Sequence, residues 1–207
     1  MKDQWYADTR DLVKWGVLLH LAEHFAAQEI IQVAYLRPSE WPELNIAGER
    51  AAIPKPVLEH FRDVRRISQL QARPKIRVVD LPFVDRRRYQ DHLLELLASR
   101  QHARAILFLD PDTGLEPAGS SGLQHVLESE LRELWLSLRR DDLLVFYQHQ
   151  TNRSGVPWVE AKQKQFSSAL GLPLERVGVA SGPAIARDVV FFYAEKWARR
   201  RPTSGCS

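Results

Sequence analysis

The sequence predicts an α/β fold, with a mostly parallel sheet and helices on both faces, from three observations. Short runs rich in Val, Ile, Leu and Phe alternate with stretches of about ten to fifteen residues that carry helical spacing. The last two apolar runs, 177–180 and 189–194, are separated only by Ser181 to Asp188. That gap is too short for a helical crossover, so the two strands pair antiparallel. The third observation is Ala105-Ile-Leu-Phe-Leu-Asp110-Pro-Asp112-Thr-Gly114-Leu-Glu116, an apolar strand that ends in two carboxylates.

In chain order, spacings of three and four at Leu12, Trp15, Leu19 and Ala22 predict a helix from Asp8 to Ala27, capped by Asp8 or Thr9. Ile30 to Leu36 reads as a strand, and Arg37 to Pro56 as a long loop containing Trp41. Loops of that length inside a compact domain are more often functional than idle. A helix is expected over 57–70, then a strand from Ile76 to Leu81 and a helix from Arg87 to Arg100. The strand Arg104 to Asp110, a helix from Leu123 to Leu138 and the strand Leu143 to His149 follow. The last helix, Trp158 to Leu170, ends at Gly171 as its C-cap.

At 207 residues and 44% hydrophobic content the chain can bury one sizeable core. A single domain over 1–198 is expected, with 199–207 as a flexible basic tail. No apolar run approaches the roughly 20 residues that span a bilayer, and the start carries no signal-peptide apolar region, so no membrane partner and a cytoplasmic location are expected. Cys206 is the only cysteine, which excludes a disulfide framework or a cysteine metal cluster within one chain. A net charge of +3 permits a nucleic-acid partner without implying one, and the arginine clusters read as solvated helix faces and ends.

Pro111 stops any helix and holds Asp110 extended. Carboxyl ends of parallel strands form the ligand crevice of open α/β sheets, so Asp110 and Asp112 stand where ligands bind; the same residues also suit a plain turn. Asp8, Asp11, Asp110, Asp112 and Glu116 are hard oxygen donors for Mg²⁺ or Mn²⁺, and with His149 they would suit a phosphodiesterase or nuclease. Two carboxylates about 4 Å apart repel by roughly 4 kcal/mol at an effective dielectric near 20, so a converging cluster needs a cation. Lys14 can be that cation instead of a metal, although Asp11 and Lys14 also fit a surface pair at i,i+3. His149 is the one histidine at a predicted strand end, where it can act as general base or ligand.

The closing antiparallel pair is how the sheet of S-adenosylmethionine-dependent methyltransferases ends, and the element order resembles that Rossmann-like class reduced by one early strand-helix unit. Asp110 and Pro111 resemble the start of the Asp/Asn-Pro-Pro-aromatic motif of adenine-N6 and related amino methyltransferases. The resemblance implies that the acid and the Pro111 carbonyl hold a target amine. Asp112 and Thr113 depart from the motif, so stacking on the base, worth about 1–3 kcal/mol, would fall to Tyr147 or Trp41. It also implies that Asp80 meets an adenine amine or ribose hydroxyl. The class carries a Gly-x-Gly loop after its first strand; here Arg37-Pro-Ser-Glu-Trp-Pro follows, with no glycine before Gly48.

Asp8-x-x-Asp11-x-x-Lys14-Trp-Gly16, the 108–116 segment and Tyr147-Gln-His149 together resemble an uncharacterised bacterial family with these three motifs, Leu109 being inserted in the second. Asp11-x-x-Lys14 is also similar to the opening of ribosomal RNA adenine-N6 methyltransferases, in which the lysine region lies beside the cofactor. Asp110-x-Asp112 resembles the first motif of haloacid-dehalogenase-type phosphatases, but it lies mid-chain and the later motifs are missing, so that family is not expected. The leading expectation is methyl transfer from S-adenosylmethionine to a nucleic-acid or nucleotide amine. Its catalytic residues would be Asp110, Asp112, His149 and Lys14, with Asp11, Asp80, Pro111 and Tyr147 at the cofactor. The alternatives are the Mg²⁺- or Mn²⁺-dependent phosphodiesterase and a non-catalytic adaptor with a degenerate cofactor site.

Overall fold

Continuous burial marks the central strands. All five residues of Ala105–Leu109 are buried, as are the first six of Leu143–His149, the pattern of strands covered on both faces. The computed structural model describes residues 9–37, 44–57, 63–100, 103–117, 119, 122–150 and 157–197. Its helices are α1 (Thr9–His24), α2 (Arg86–Ser99), α3 (Glu128–Ser137) and α4 (Val159–Leu170), with 3-10 helices at Val64–Gln69 and Leu174–Arg176. The strands are β1 (Glu29–Val33), β2 (Leu44–Ile46), β3 (Glu49–Ala51), β4 (Lys75–Val79), β5 (Ala105–Leu109), β6 (Gly114–Leu115), β7 (His125–Val126), β8 (Leu143–His149), β9 (Gly178–Gly182) and β10 (Ala186–Glu195).

The main sheet has the order β4-β1-β5-β8-β10-β9. β1 pairs in parallel with β4 and β5, and β5 with β8. β10 runs antiparallel to both neighbours, β8 and β9. This is a Rossmann-like, methyltransferase-like order with its closing antiparallel pair, short of one outer strand. Alternate side chains sort the core into two layers. Ile30, Phe108, Val145 and Phe191 pack with Val13, Trp15 and Leu18 of α1. Ile31, Leu107, Phe146 and Phe192 pack on the opposite face with Leu93, Leu131, Leu134 and Phe166 of α2, α3 and α4. A buried ion pair closes the amino edge: Asp142, 1% exposed, accepts from Arg100 and from the backbone N–H groups of Ala105 and Arg139.

Three expected elements differ. The loop expected over 37–56 contains a hairpin, β2 and β3, turned at Ala47 and Gly48, both at positive φ as a two-residue type I′ turn requires. Trp41 lies outside the described residues. The helix expected over 57–70 includes 58–62, also outside them; Val57 before them is helical, and beyond them Val64–Gln69 is a 3-10 helix in which Val64 alone is buried. The helix expected from Leu123 starts only at Glu128. Ahead of it, His125-Val126 pairs with Gly114-Leu115, and the Glu130 carboxylate accepts from the Leu127 N–H to cap the helix. Gly171 ends α4 at φ 66, as expected. The basic tail lies outside the described residues, and no helix among those described is long and apolar enough to cross a membrane.

Candidate functional site

The chain leaves β1 toward β4 on one side and β5 on the other, so strand order reverses between β1 and β5 and opens the crevice at their carboxyl ends. The Asp110 N–H donates to the Val33 carbonyl at 3.0 Å, which extends the β1–β5 ladder by one residue. Alternation then turns its carboxylate toward α1. There Asp110 Oδ2 accepts from Lys14 Nζ and from Gln32 Nε2, each at 2.9 Å, and Lys14 Nζ also donates to Asp11 Oδ1 at 2.6 Å. Lys14 Nζ stands 5.3 Å from the Tyr147 ring centroid. All five side chains are buried, Asp110 at 1% and Lys14 at 3% exposure. Burial pulls the Lys14 ammonium down, but Asp110 and Asp11 overcome it and its pKa stands above the ordinary lysine value. Burial pushes the Tyr147 phenol up, so it stays neutral. Gln32 Oε1 is buried and accepts no hydrogen bond among the described residues.

Two ion pairs flank this cluster. Asp112 pairs with Arg37 at the exit of β1. Arg37 Nε is buried and has no partner among the described residues. His149 Nε2 lies 3.0 Å from Asp188 Oδ2, which also accepts from Arg10 one turn before Lys14. Burial pushes the Asp188 carboxyl up, but the Arg10 guanidinium and His149 outweigh it and hold it below the usual range. At the β1 exit, Tyr35 takes the left-handed φ of 46 that glycine ordinarily supplies. It is held there by packing on Phe83 and Tyr89, against a strain of about 1–3 kcal/mol.

The 110–116 turn is shaped from the opposite face by Gln148, which is fully buried. Its Nε2 donates to the carbonyls of Thr113 and His149, and its Oε1 accepts from the Leu115 N–H. Gly114 has φ 112, and a Cβ there would lie 2.3 Å from Gln148 Oε1. Gly114→Ala is therefore expected to lower stability by about 2–4 kcal/mol, combining left-handed strain with backbone groups stripped of Gln148. Thermal unfolding checks this, and an unchanged midpoint would refute the clamp. Glu116 reaches away to accept from the Glu128 N–H at the start of α3.

Of the residues singled out in the sequence, Asp11, Lys14, Asp110 and Tyr147 come together. Pro111 is buried in the turn that follows, while Asp112 and His149 lie in the flanking pairs. Asp80 is exposed at the carboxyl end of β4, 3.6 Å from Arg65. Asp8 lies outside the described residues. Among those described, no three His, Cys, Asp or Glu side chains are placed to share a metal ion. Gln32, Gln148, Arg37, Asp188 and Arg10 are additions. Gln32 had a local signal, as the one polar residue in Ile30-Ile-Gln-Val-Ala, and Gln148 stood inside the Tyr147-Gln-His149 motif without a role assigned to it.

No protein-family model and no curated protein matches the chain. Among solved structures it is similar to a DUF574 family protein from Streptomyces avermitilis MA-4680, at 12% identity and TM-score 0.42, covering 91% of this chain and 82% of that one. It is similar to a candidate methyltransferase from Thermobifida fusca YX at 13% identity and TM-score 0.42, covering 92% and 80%. A fibrillarin/Nop5p complex matches at 7% identity and TM-score 0.39, covering 82% and 73%. Scores this low carry no function across, and the fold assignment rests on the strand order itself.

Proposed function

We propose that the chain binds S-adenosylmethionine at the carboxyl ends of β4, β1 and β5 and transfers its methyl group to an amine of a nucleic acid or nucleotide. The observation behind this reading is the strand reversal with two polar groups beside it: the exposed Asp80 carboxylate, held only loosely by Arg65 at 3.6 Å, and the buried Arg37 Nε, which has no partner among the described residues. A carboxylate at the end of β4 suits ribose hydroxyls, and a guanidinium oriented by Asp112 suits the carboxylate of the ligand's amino-acid end. Bound there, the sulfonium supplies an activated methyl group. The Pro111 carbonyl and Asp112 would hold the attacking amine, and His149, half-exposed beside Asp188, would take up the proton that leaves it. Asp110 and Lys14 would act one layer below, fixing the turn that carries Pro111 and Asp112.

Calorimetry tests the reading: binding is expected in the wild type and at least tenfold weaker in Asp80→Ala and Arg37→Ala. No detectable heat at millimolar ligand would overturn it. A second reading has its own observation, since Lys14 and Gln32 engage the Asp110 carboxylate and the Tyr35 ring packs at the β1 exit. On that reading the fold is a non-catalytic adaptor, and Asp80→Ala would keep full function in cells.

A further inference from the structure

The outer edge of β4 carries charge that nothing described so far uses. β4 is the end strand of the main sheet, and Lys75 and Arg77 are exposed on the face of it that bears Val79. Arg73 is exposed just before the strand. Lys75 and Arg77, alternate residues on the strand, stand about 6.6 Å apart on that face, and Arg73 adds a third cation in the bend just before them. None of the three has a carboxylate partner among the described residues. Glu29, the register partner of Lys75 on β1, lies instead near Arg100. By contrast, Arg65 and Arg66 are engaged with Asp63, and Arg87 with Asp91.

We propose that this edge is a phosphate-binding track for single-stranded nucleic acid, leading to the crevice beside Asp80. Its lower end opens on a cleft of about 960 Å³ lined by Arg73 and Lys75 together with His20, Glu23, Gln28 and Gln71. That cleft has room for a base and has side-chain donors and acceptors to meet its edge. Its upper end is Asp80, because β4 runs from Lys75 to Val79 and delivers the next residue to the carboxyl edge. Cations on one edge strand and in the bend before it match one sugar-phosphate backbone better than the two of a duplex. The track also lacks the aromatic platforms that read bases, so binding depends on charge and tolerates sequence. Exposed cations on an edge strand also deter edge-to-edge aggregation, and the experiment separates the two roles.

The track deepens the methyl-transfer reading by naming a path for its substrate. Its test is run without S-adenosylmethionine, so either idea can fail alone. The probe is a fluorescein-labelled oligonucleotide of about twelve nucleotides, as RNA or DNA, followed by anisotropy across roughly 50–200 mM salt. Wild type is expected to bind with a log–log salt slope of about −2, from three phosphate contacts at roughly 0.7 each. Arg73→Ala/Lys75→Ala/Arg77→Ala should lose tenfold or more in affinity and most of the slope, while Arg73→Lys/Arg77→Lys stays within about twofold to threefold. An Arg87→Ala/Arg88→Ala control should bind as wild type. No wild-type binding at low salt, an unaffected triple variant, an equal loss in the control, or equal displacement by poly-glutamate would each overturn the proposal.

Discussion

Lys14→Met is expected to lower folding stability by about 3–5 kcal/mol, because it leaves two buried carboxylates facing each other without their cation. Domains of this size hold about 5–15 kcal/mol in total, so the variant should sit near its unfolding transition. Methionine keeps most of the side-chain volume, which confines the change to charge and hydrogen bonding. The raised pKa of Lys14 fixes the pH signature. Its contribution is complete below the unfolded lysine value of about 10.4 and is lost only as pH climbs through the higher folded value, so near neutrality it adds no slope. In the variant, protons relieve the exposed repulsion between Asp11 and Asp110, so its urea midpoint should rise as pH falls from about 7 to 5. Wild type lacks that rise from this source. Adding Asp11→Asn and Asp110→Asn to Lys14→Met should restore a large share of the loss. A single-variant loss below about 1 kcal/mol would mean that the cluster is hydrated and weakly coupled.

That cluster shows which signals a linear sequence carries. Lys14 lies one turn before Leu18, at the flank of the stripe of α1 that holds Asp11 and Trp15, and a cation beside an apolar face demands a carboxylate. Asp110 ends a strand buried on both faces, so its meeting with Lys14 could be inferred from chemistry before geometry. β5 and β8 were legible for the same reason: unbroken burial leaves an unbroken apolar run. The short strands β6 and β7 fall below any periodicity, and their effect was to start α3 five residues later than its pattern suggested. The β2–β3 hairpin turns on Ala47-Gly48 without the Asn-Gly pair that advertises such turns. Gln148 and Asp188 act on partners brought near only by the fold, Gln148 on a turn 33 residues back and Asp188 on Arg10, which lies at the other end of the chain. Arg37 follows the first strand in a stretch without glycine, and there Tyr35 itself takes a left-handed φ of 46, which no residue type in the sequence signals.

Asp142→Ala is expected to cost as much as the loss of Lys14, from the opposite edge of the sheet. The Asp142 carboxylate spans Arg100 with both oxygens, at 2.9 and 3.2 Å, and accepts from Ala105 N and Arg139 N at 2.9 and 3.0 Å. It therefore joins the end of α2, the first residue of β5 and the turn into β8. Removing it leaves Arg100, 8% exposed overall, with Glu29 at 3.7 Å as its remaining carboxylate, and strips two backbone donors of their acceptor. About 3–5 kcal/mol follows from a broken buried pair, with the orphaned N–H groups placing the value at the upper end. Urea unfolding of Asp142→Ala, Arg100→Met and the double variant separates the terms. The double variant should be more stable than Asp142→Ala by at least 1 kcal/mol, since it no longer buries a guanidinium stripped of its two-oxygen partner. Equal stability of the two would place the cost in the backbone donors alone. Because this network starts β5, its loss should also loosen Asp110 at the far end of the same strand. Amide exchange at Asp110 should then speed up in Asp142→Ala even where the folded state persists, and unchanged protection there would show that the two edges open independently.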